Sequence, residues 1–278
     1  MTALYRGMDK QTLDIAYNNV KHEPNYQEIM RSFKDRSADV YASNSVVRDL
    51  SYGSRPRQRF DWIRCDQPDA PTFVFIHGGY WQNYTKEDLA FVATGALGRG
   101  FNVVLAEYTL APDATMTEIV GEIGMLLDHM NVSRSEIGFG GRPVVLCGHS
   151  AGGLLAAMHR AHPAITLTLC ISALFDLEPI SLSWLNDKLQ LTGTQVSQFS
   201  PLRLSVPGSP MIICVGNKEL HELVRQSTDY VMHLRRFGEV PTFLMLGGKR
   251  HFTILDDLAK PSGTHMSNIA MAIAPYRL

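Results

Sequence analysis

The run VVLCGHSAGG sets Ser150 between Gly148 and Gly152, with His149 and Ala151 in the intervening positions. A serine in a G-x-S-x-G between an apolar strand and a helix sits on a sharp turn. The small neighbours relieve that turn, and the hydroxyl is held out where a carbonyl carbon can reach it. The helix that follows begins with unpaired N–H groups and the positive end of its dipole, which suit a negative charge developing on an attacked oxygen. The implied chemistry is nucleophilic attack by Ser150 on an acyl group.

A hydroxyl is a weak nucleophile until a base takes its proton. On this strand–turn–helix arrangement the chain order is serine, acid, histidine, which sets aside histidines before Ser150. His233 lies inside DYVMHLRRF, a helical stretch, where packing or surface roles fit. His251 directly follows the strand in TFLMLGGKRHF, on a glycine-rich loop that can swing it toward the serine, and is the predicted base. The acid belongs on the loop after the preceding strand, MIICVGNKELHE. Glu219 is the predicted acid, with Glu222 in reserve; either could instead cap the helix opening there. Asp256 and Asp257 follow His251, in the wrong order. A carboxylate in this role orients the imidazole and stabilises its protonated form without taking the proton. His159 and His162 have a spacing that could bind metal, but no third ligand is evident, so neither metal nor cofactor is expected.

Acyl transfer also needs N–H donors for the oxyanion. One comes from the residue after the nucleophile, Ala151, and another from the loop after an earlier strand. FVFIHGGYWQNY supplies that loop: Gly78 and Gly79 let the backbone approach closely, with the Tyr80 amide beside them. His77 is expected to order the loop by hydrogen bonding. Tyr80 and Trp81 either wall a pocket for a planar substrate or pack under a neighbouring helix.

The elements that must position these residues alternate. TFVFI reads as a buried strand, and FNVVLAEYTL, RPVVLCGHS, LTLCISAL, MIICVGN and TFLMLGG read as strands, separated by helical stretches such as TMTEIVGEIGMLLDHMNV and HELVRQSTDYVMHLRRFG. An N-terminal region to about Asn44 carries polar helices, and VVRDLSYGS with QRFDWIRCD suggests a strand pair. The pattern predicts an α/β fold in one domain, with a mostly parallel sheet covered on both faces and its chemistry at the carboxyl ends of the strands. The stretch 176–204 breaks the alternation and is expected to cap those ends, as a lid or as a surface helix.

With 278 residues, 45% of them hydrophobic and 19% charged, at a net charge of −1, the chain has globular composition. Nothing in that balance favours a nucleic-acid or anionic-membrane partner. The N-terminus lacks a signal-peptide pattern, no apolar run is long enough to span a bilayer, and the four cysteines form no CxxC pair. A cytoplasmic setting is expected. The open sheet's edge could support a homodimer.

HGGYW, GHSAGG, SALFDLEPI, FSPL, ELHELVRQS and KRHF occur in an order that resembles the α/β-hydrolase fold, and within it the serine-dependent kynurenine formamidase (arylformamidase) family. GHSAG alone specifies little; HGGYW together with E-x-x-E-[LF]-x-R-Q-S is much narrower. The resemblance covers the chain from about Leu13 onward and puts the triad on Ser150, Glu219 and His251. Members often carry Asp where this chain has Glu219. The implied reaction is hydrolysis of N-formyl-L-kynurenine to L-kynurenine and formate. A carboxylesterase, or a hydrolase of another small amide or carbamate, is the alternative. A non-catalytic ligand-binding relative would be expected to lack a triad member.

Overall fold

A computed structural model describes residues 3–65, 67, 69–132 and 137–276. Eight strands form one sheet: β1 (Val46–Ser51), β2 (Arg59–Ile63), β3 (Thr72–Ile76), β4 (Asn102–Ala106), β5 (Val144–His149), β6 (Leu167–Ile171), β7 (Met211–Gly216) and β8 (Thr242–Leu246), in the order β1-β2-β4-β3-β5-β6-β7-β8. β1 and β2 pair antiparallel, and β2 runs antiparallel to β4. Every other pairing is parallel.

The continuous apolar runs follow from that arrangement, because a parallel sheet is covered on both faces and must be apolar on both. Every residue of β3, β5, β6 and β7 is buried. Period-two alternation divides them. Val74, Ile76, Leu146 and Ile213 enter one core with the helices Met116–Val132, Ala151–Met158 and His221–Arg236. Phe73, Phe75, Val145 and Cys214 enter the other, with the N-terminal helix Tyr26–Ser43 and the C-terminal helix Thr264–Ile273. There Phe33 stacks on Phe91 with ring centroids 4.2 Å apart. Cys147, Cys170 and Cys214 are free and buried, used as small apolar groups, and burial pushes the Cys170 thiol up to about 12.

The stretch 176–204 folds as the short helices Glu178–Ser181, Asn186–Leu189 and Gly193–Gln198 and a final 3-10 turn, Pro201–Arg203. Its root is anchored by buried hydrogen bonds. Gln226 Oε1 accepts the Phe175 and Asp176 N–H groups at 2.6 and 2.9 Å, and Ser200 Oγ accepts the Leu177 N–H at 2.9 Å. Gln226 Nε2 also donates to Tyr17 Oη at 2.8 Å, tying this stretch to the N-terminal segment. That gives the glutamine of ELHELVRQS a structural task.

Candidate active site

Ser150 occupies the junction between β5 and the helix Ala151–Met158 with φ 55° and ψ −119°, a conformation an L-residue holds only when its surroundings enforce it. The flanking glycines make the enforcement sterically feasible. A Cβ on Gly152 would stand 2.2 Å from the Ile76 carbonyl oxygen, and one on Gly148 would stand 2.0 Å from that of Gly152.

Three side chains from three elements meet there. His251 Nε2 lies 3.0 Å from Ser150 Oγ, and His251 Nδ1 donates to Glu219 Oε2 at 2.9 Å. Glu219 Oε1 accepts the Ser172 hydroxyl at 2.6 Å and the Gly216 N–H at 2.7 Å. With Nδ1–H committed to the carboxylate, Nε2 is left as the acceptor for the serine proton. All three side chains are shielded; Glu219 is 0% and His251 6% exposed. Gly216, whose Cβ would meet the Lys249 carbonyl oxygen at 2.2 Å, lets the His251 loop close against the Glu219 loop. His149 supports the same loop from the other side by donating from Nε2 to the His251 carbonyl at 2.9 Å. Burial, and then the neighbouring His251, hold its pKa well below the usual histidine value, so it is neutral.

The His77–Trp81 loop lies against this array. A Cβ on Gly78 would stand 2.9 Å from both the His149 carbonyl oxygen and Ser150 Cβ, so only glycine fits there. Gly79, Tyr80 and Trp81 have φ of 109°, 54° and 58°, three successive left-handed residues that turn the chain sharply. Outside the sheet, and among the described residues, the loop's main chain uses its carbonyls: Gly79 O accepts from the Gln82 and Asn83 N–H groups, both at 3.0 Å, and Gly78 O from His77 Nδ1 at 2.8 Å. Ala151, first residue of its helix, has no preceding turn to receive its N–H.

Ser150 and His251 open onto a cavity of about 510 Å³. Its walls carry Tyr26, Tyr80, Tyr84, Trp184 and Phe252, and Lys21, Lys188 and the Asp187 carboxylate also line it. Tyr80 is fixed by its hydroxyl, which donates to the Tyr17 carbonyl at 2.5 Å and accepts from Asn19 Nδ2 at 2.6 Å. Trp184 meets the Tyr80 ring edge-on at 6.3 Å. Residues of the stretch 176–204 thus form part of the site, as do Asn18–Lys21 at the N-terminus.

Trp81 is a correction. It does not line the cavity; it is 0% exposed and packs in the core that holds Tyr17, Ile119 and Tyr108. Consecutive left-handed residues send neighbouring side chains in different directions, so Tyr80 faces the cavity and Trp81 the core.

The BD-FAE family model matches residues 64–165. A kynurenine formamidase of Danio rerio is 25% identical, the match covering 91% of this chain and 93% of the relative. One of Salmo salar is 30% identical with the same coverage, 91% and 93%. The chain belongs to the kynurenine formamidase family. Among solved structures, a Silicibacter sp. TM1040 protein described as a thioesterase superposes with a TM-score of 0.83 at 25% identity, covering 92% of this chain and 97% of that one. Esterase B from Lactobacillus Rhamnosis gives 0.69 at 15% identity, covering 93% and 95%. The fold is that of the α/β-hydrolases, and this kynurenine formamidase family member is a hydrolase of the formamidase/esterase type.

The remaining candidates resolve by their contacts. Glu222 faces away from His251: its Oε2 accepts Tyr17 Oη at 2.9 Å and pairs with Arg225 at 2.7 Å. His233 Nε2 donates to the Leu204 carbonyl, His159 Nε2 to that of Val120, and His162 Nε2 meets Asp128. No helix among the described residues is long and apolar enough to cross a membrane. Sequence reasoning missed Ser172, His149 and the N-terminal residues Asn18, Asn19 and Lys21. Ser172 had a usable signal, since it is the first residue past β6 at the carboxyl end of the sheet. The N-terminal residues had none.

Proposed function

We propose that this chain is a serine-dependent kynurenine formamidase that hydrolyses N-formyl-L-kynurenine to L-kynurenine and formate. The observation that carries this reading is the hydrogen-bonded file Ser150–His251–Glu219 opening on a cavity walled by aromatic rings. An aryl leaving group fits such walls, and the cavity volume lies in the range usual for small-molecule sites. The curated relatives covering most of the chain carry the same activity in their names.

In the proposed reaction Ser150 Oγ attacks the formyl carbon while His251 Nε2 takes its proton. Glu219 keeps the imidazole in the Nδ1–H tautomer and stabilises the imidazolium. The N–H groups of Gly78, Gly79 and Ala151 receive the oxyanion. His251 then gives its proton to the aryl nitrogen as the C–N bond breaks, releasing kynurenine and leaving Ser150 formylated. Water, deprotonated by His251, attacks the formyl ester; collapse returns the proton to Ser150 and releases formate. Lys21 and Lys188 suit the substrate's carboxylate, and Asp187 its ammonium group.

The test is turnover of N-formyl-L-kynurenine beside p-nitrophenyl acetate, in wild type and Ser150→Ala. Formylkynurenine turnover at kcat/KM on the order of 10⁴ M⁻¹s⁻¹ or more, abolished in the variant, supports the reading. Ester turnover alone with the same Ser150 dependence would retain the triad and discard this substrate.

A further inference from the structure

His77, which ends the β3 run, is completely buried. Its Nδ1 lies 2.8 Å from the Gly78 carbonyl oxygen and its Nε2 3.0 Å from Glu107 Oε1. A carbonyl oxygen can only accept a hydrogen bond, and so can an ionised carboxylate. Glu107 is held ionised by its surroundings. Oε1 also accepts from Arg57 at 2.7 Å and from the Tyr108 N–H at 3.0 Å, and Oε2 accepts the Lys86 N–H at 3.1 Å. A neutral His77 would therefore set a ring lone pair against an acceptor on one side or the other.

We infer that His77 carries protons on both ring nitrogens and, as a buried imidazolium, is the positioning residue that aims the oxyanion loop. The inference rests on the proposed reading of that loop as the oxyanion hole. The Gly78 carbonyl and the Gly79 N–H belong to one planar trans peptide unit and point in opposite directions. Binding the carbonyl to His77 Nδ1–H thus fixes the direction of the Gly79 N–H. Tyr108 completes the clamp, stacking on the imidazole with centroids 4.6 Å apart and donating its hydroxyl to the His77 carbonyl at 3.0 Å.

The charge balance gives the proton a second task. Glu107 is shared between His77 and the Arg57 guanidinium, while the Lys86 ammonium is matched by Asp49, Asp61 and Glu87. Three cations, counting the His77 imidazolium, thus face four carboxylates, and the His77 proton offsets part of the negative charge gathered beneath the loop. The other ionisable groups packed nearby are the phenol of Tyr108 on the His77 ring, the phenol of Tyr52, which donates to the Glu107 carbonyl oxygen at 2.7 Å, the Glu122 carboxylate, which accepts the Thr109 N–H at 2.7 Å, and the neutral His149 behind Gly78.

The experiment is long-range ¹H–¹⁵N NMR of histidine-labelled protein, with His77 assigned through its backbone. The expected result at pH 7.5 is a His77 ring bearing two slowly exchanging N–H protons. Glu107→Gln is expected to remove one of them and to lower kcat about 10-fold or more with KM nearly unchanged, because the loop acts on the transition state. A wild-type His77 with a single ring proton would overturn the inference, and so would a folded Glu107→Gln with full kcat. The wild-type spectrum decides alone if that variant does not fold. It involves no substrate, so it stands apart from whether formylkynurenine is turned over, and kcat can be followed on p-nitrophenyl acetate.

Discussion

Ser172 Oγ stands 2.6 Å from Glu219 Oε1, the oxygen opposite the one that meets His251. The carboxylate is thus held from β6 as well as from its own loop, where the Gly216 N–H donates to the same oxygen. A glutamate reaches both sets of partners at once. Glu219→Gln, which puts an amide beside the Nδ1–H, is expected to lower kcat by about 10³- to 10⁴-fold. Glu219→Asp, one methylene shorter, can keep His251 or the Ser172 and Gly216 anchor but not both, and should lose about 10-fold. Steady-state kinetics check both; an aspartate variant with full activity would show that the anchor does not matter.

Glu222 is expected to stabilise the fold and to take no part in the chemistry. Its partners are Tyr17 and Arg225, with Arg225 holding its pKa down against burial. Glu222→Gln should lower unfolding stability by about 2 kcal/mol, as expected when a charge-assisted hydrogen-bond network loses its charge. Its kcat should stay within a few-fold of wild type. Urea unfolding and kinetics on one preparation separate these effects, and a large loss of kcat without loss of stability would return Glu222 to the acid position.

Gly78→Ala places a methyl 2.9 Å from Ser150 Cβ and from the His149 carbonyl oxygen. Neither neighbour can yield without moving the serine turn. The expected outcome is a loss of about 100-fold in kcat, comparable with deleting one oxyanion donor. A phosphonate that mimics the tetrahedral intermediate should label the variant more slowly by a similar factor; unchanged labelling would remove the loop from the oxyanion role.

Lys21 and Lys188 line the cavity and are exposed. Changing both to Met should raise KM for N-formyl-L-kynurenine about 5- to 10-fold, the modest effect expected of solvated charges meeting a carboxylate. An N-formyl aryl amine without the amino-acid group, and p-nitrophenyl acetate, should be turned over as before. Equal losses on all three substrates would mean that the lysines shape the cavity and do not read the carboxylate.

His149 makes stability depend on pH. Folded, it resists protonation because it is buried and next to His251. Unfolded, it takes up a proton near the usual histidine value of about 6.5. A group whose folded pKa is depressed contributes stability above its unfolded pKa and loses that contribution as pH falls below it. The urea midpoint should therefore decline from about pH 6.5 to 5, where the His149 contribution is lost. His149 can add up to about 1.4 kcal/mol per pH unit to that decline. His149→Gln should flatten the slope, and an unchanged slope would assign it to other groups.

What the sequence determined by itself was local or periodic. Continuous apolar runs predict strands buried on both faces, and all of β3, β5, β6 and β7 is buried. A glycine-flanked serine between strand and helix, and a histidine just past the last strand, are likewise set by neighbours in the chain. Tertiary structure decided the rest. Glu219 and Glu222 lie three residues apart at one helix start; contacts to Ser172 and His251 on one side and to Tyr17 on the other separate them. Tyr80 and Trp81 are adjacent in a run of positive φ, where no strand or helix period dictates which side chain faces which way. Asn19 and Lys21 reach the cavity from a segment more than a hundred residues from Ser150. Only packing of the N-terminal helices brings them there, and hydrophobic periodicity carries no record of where such a helix end will lie.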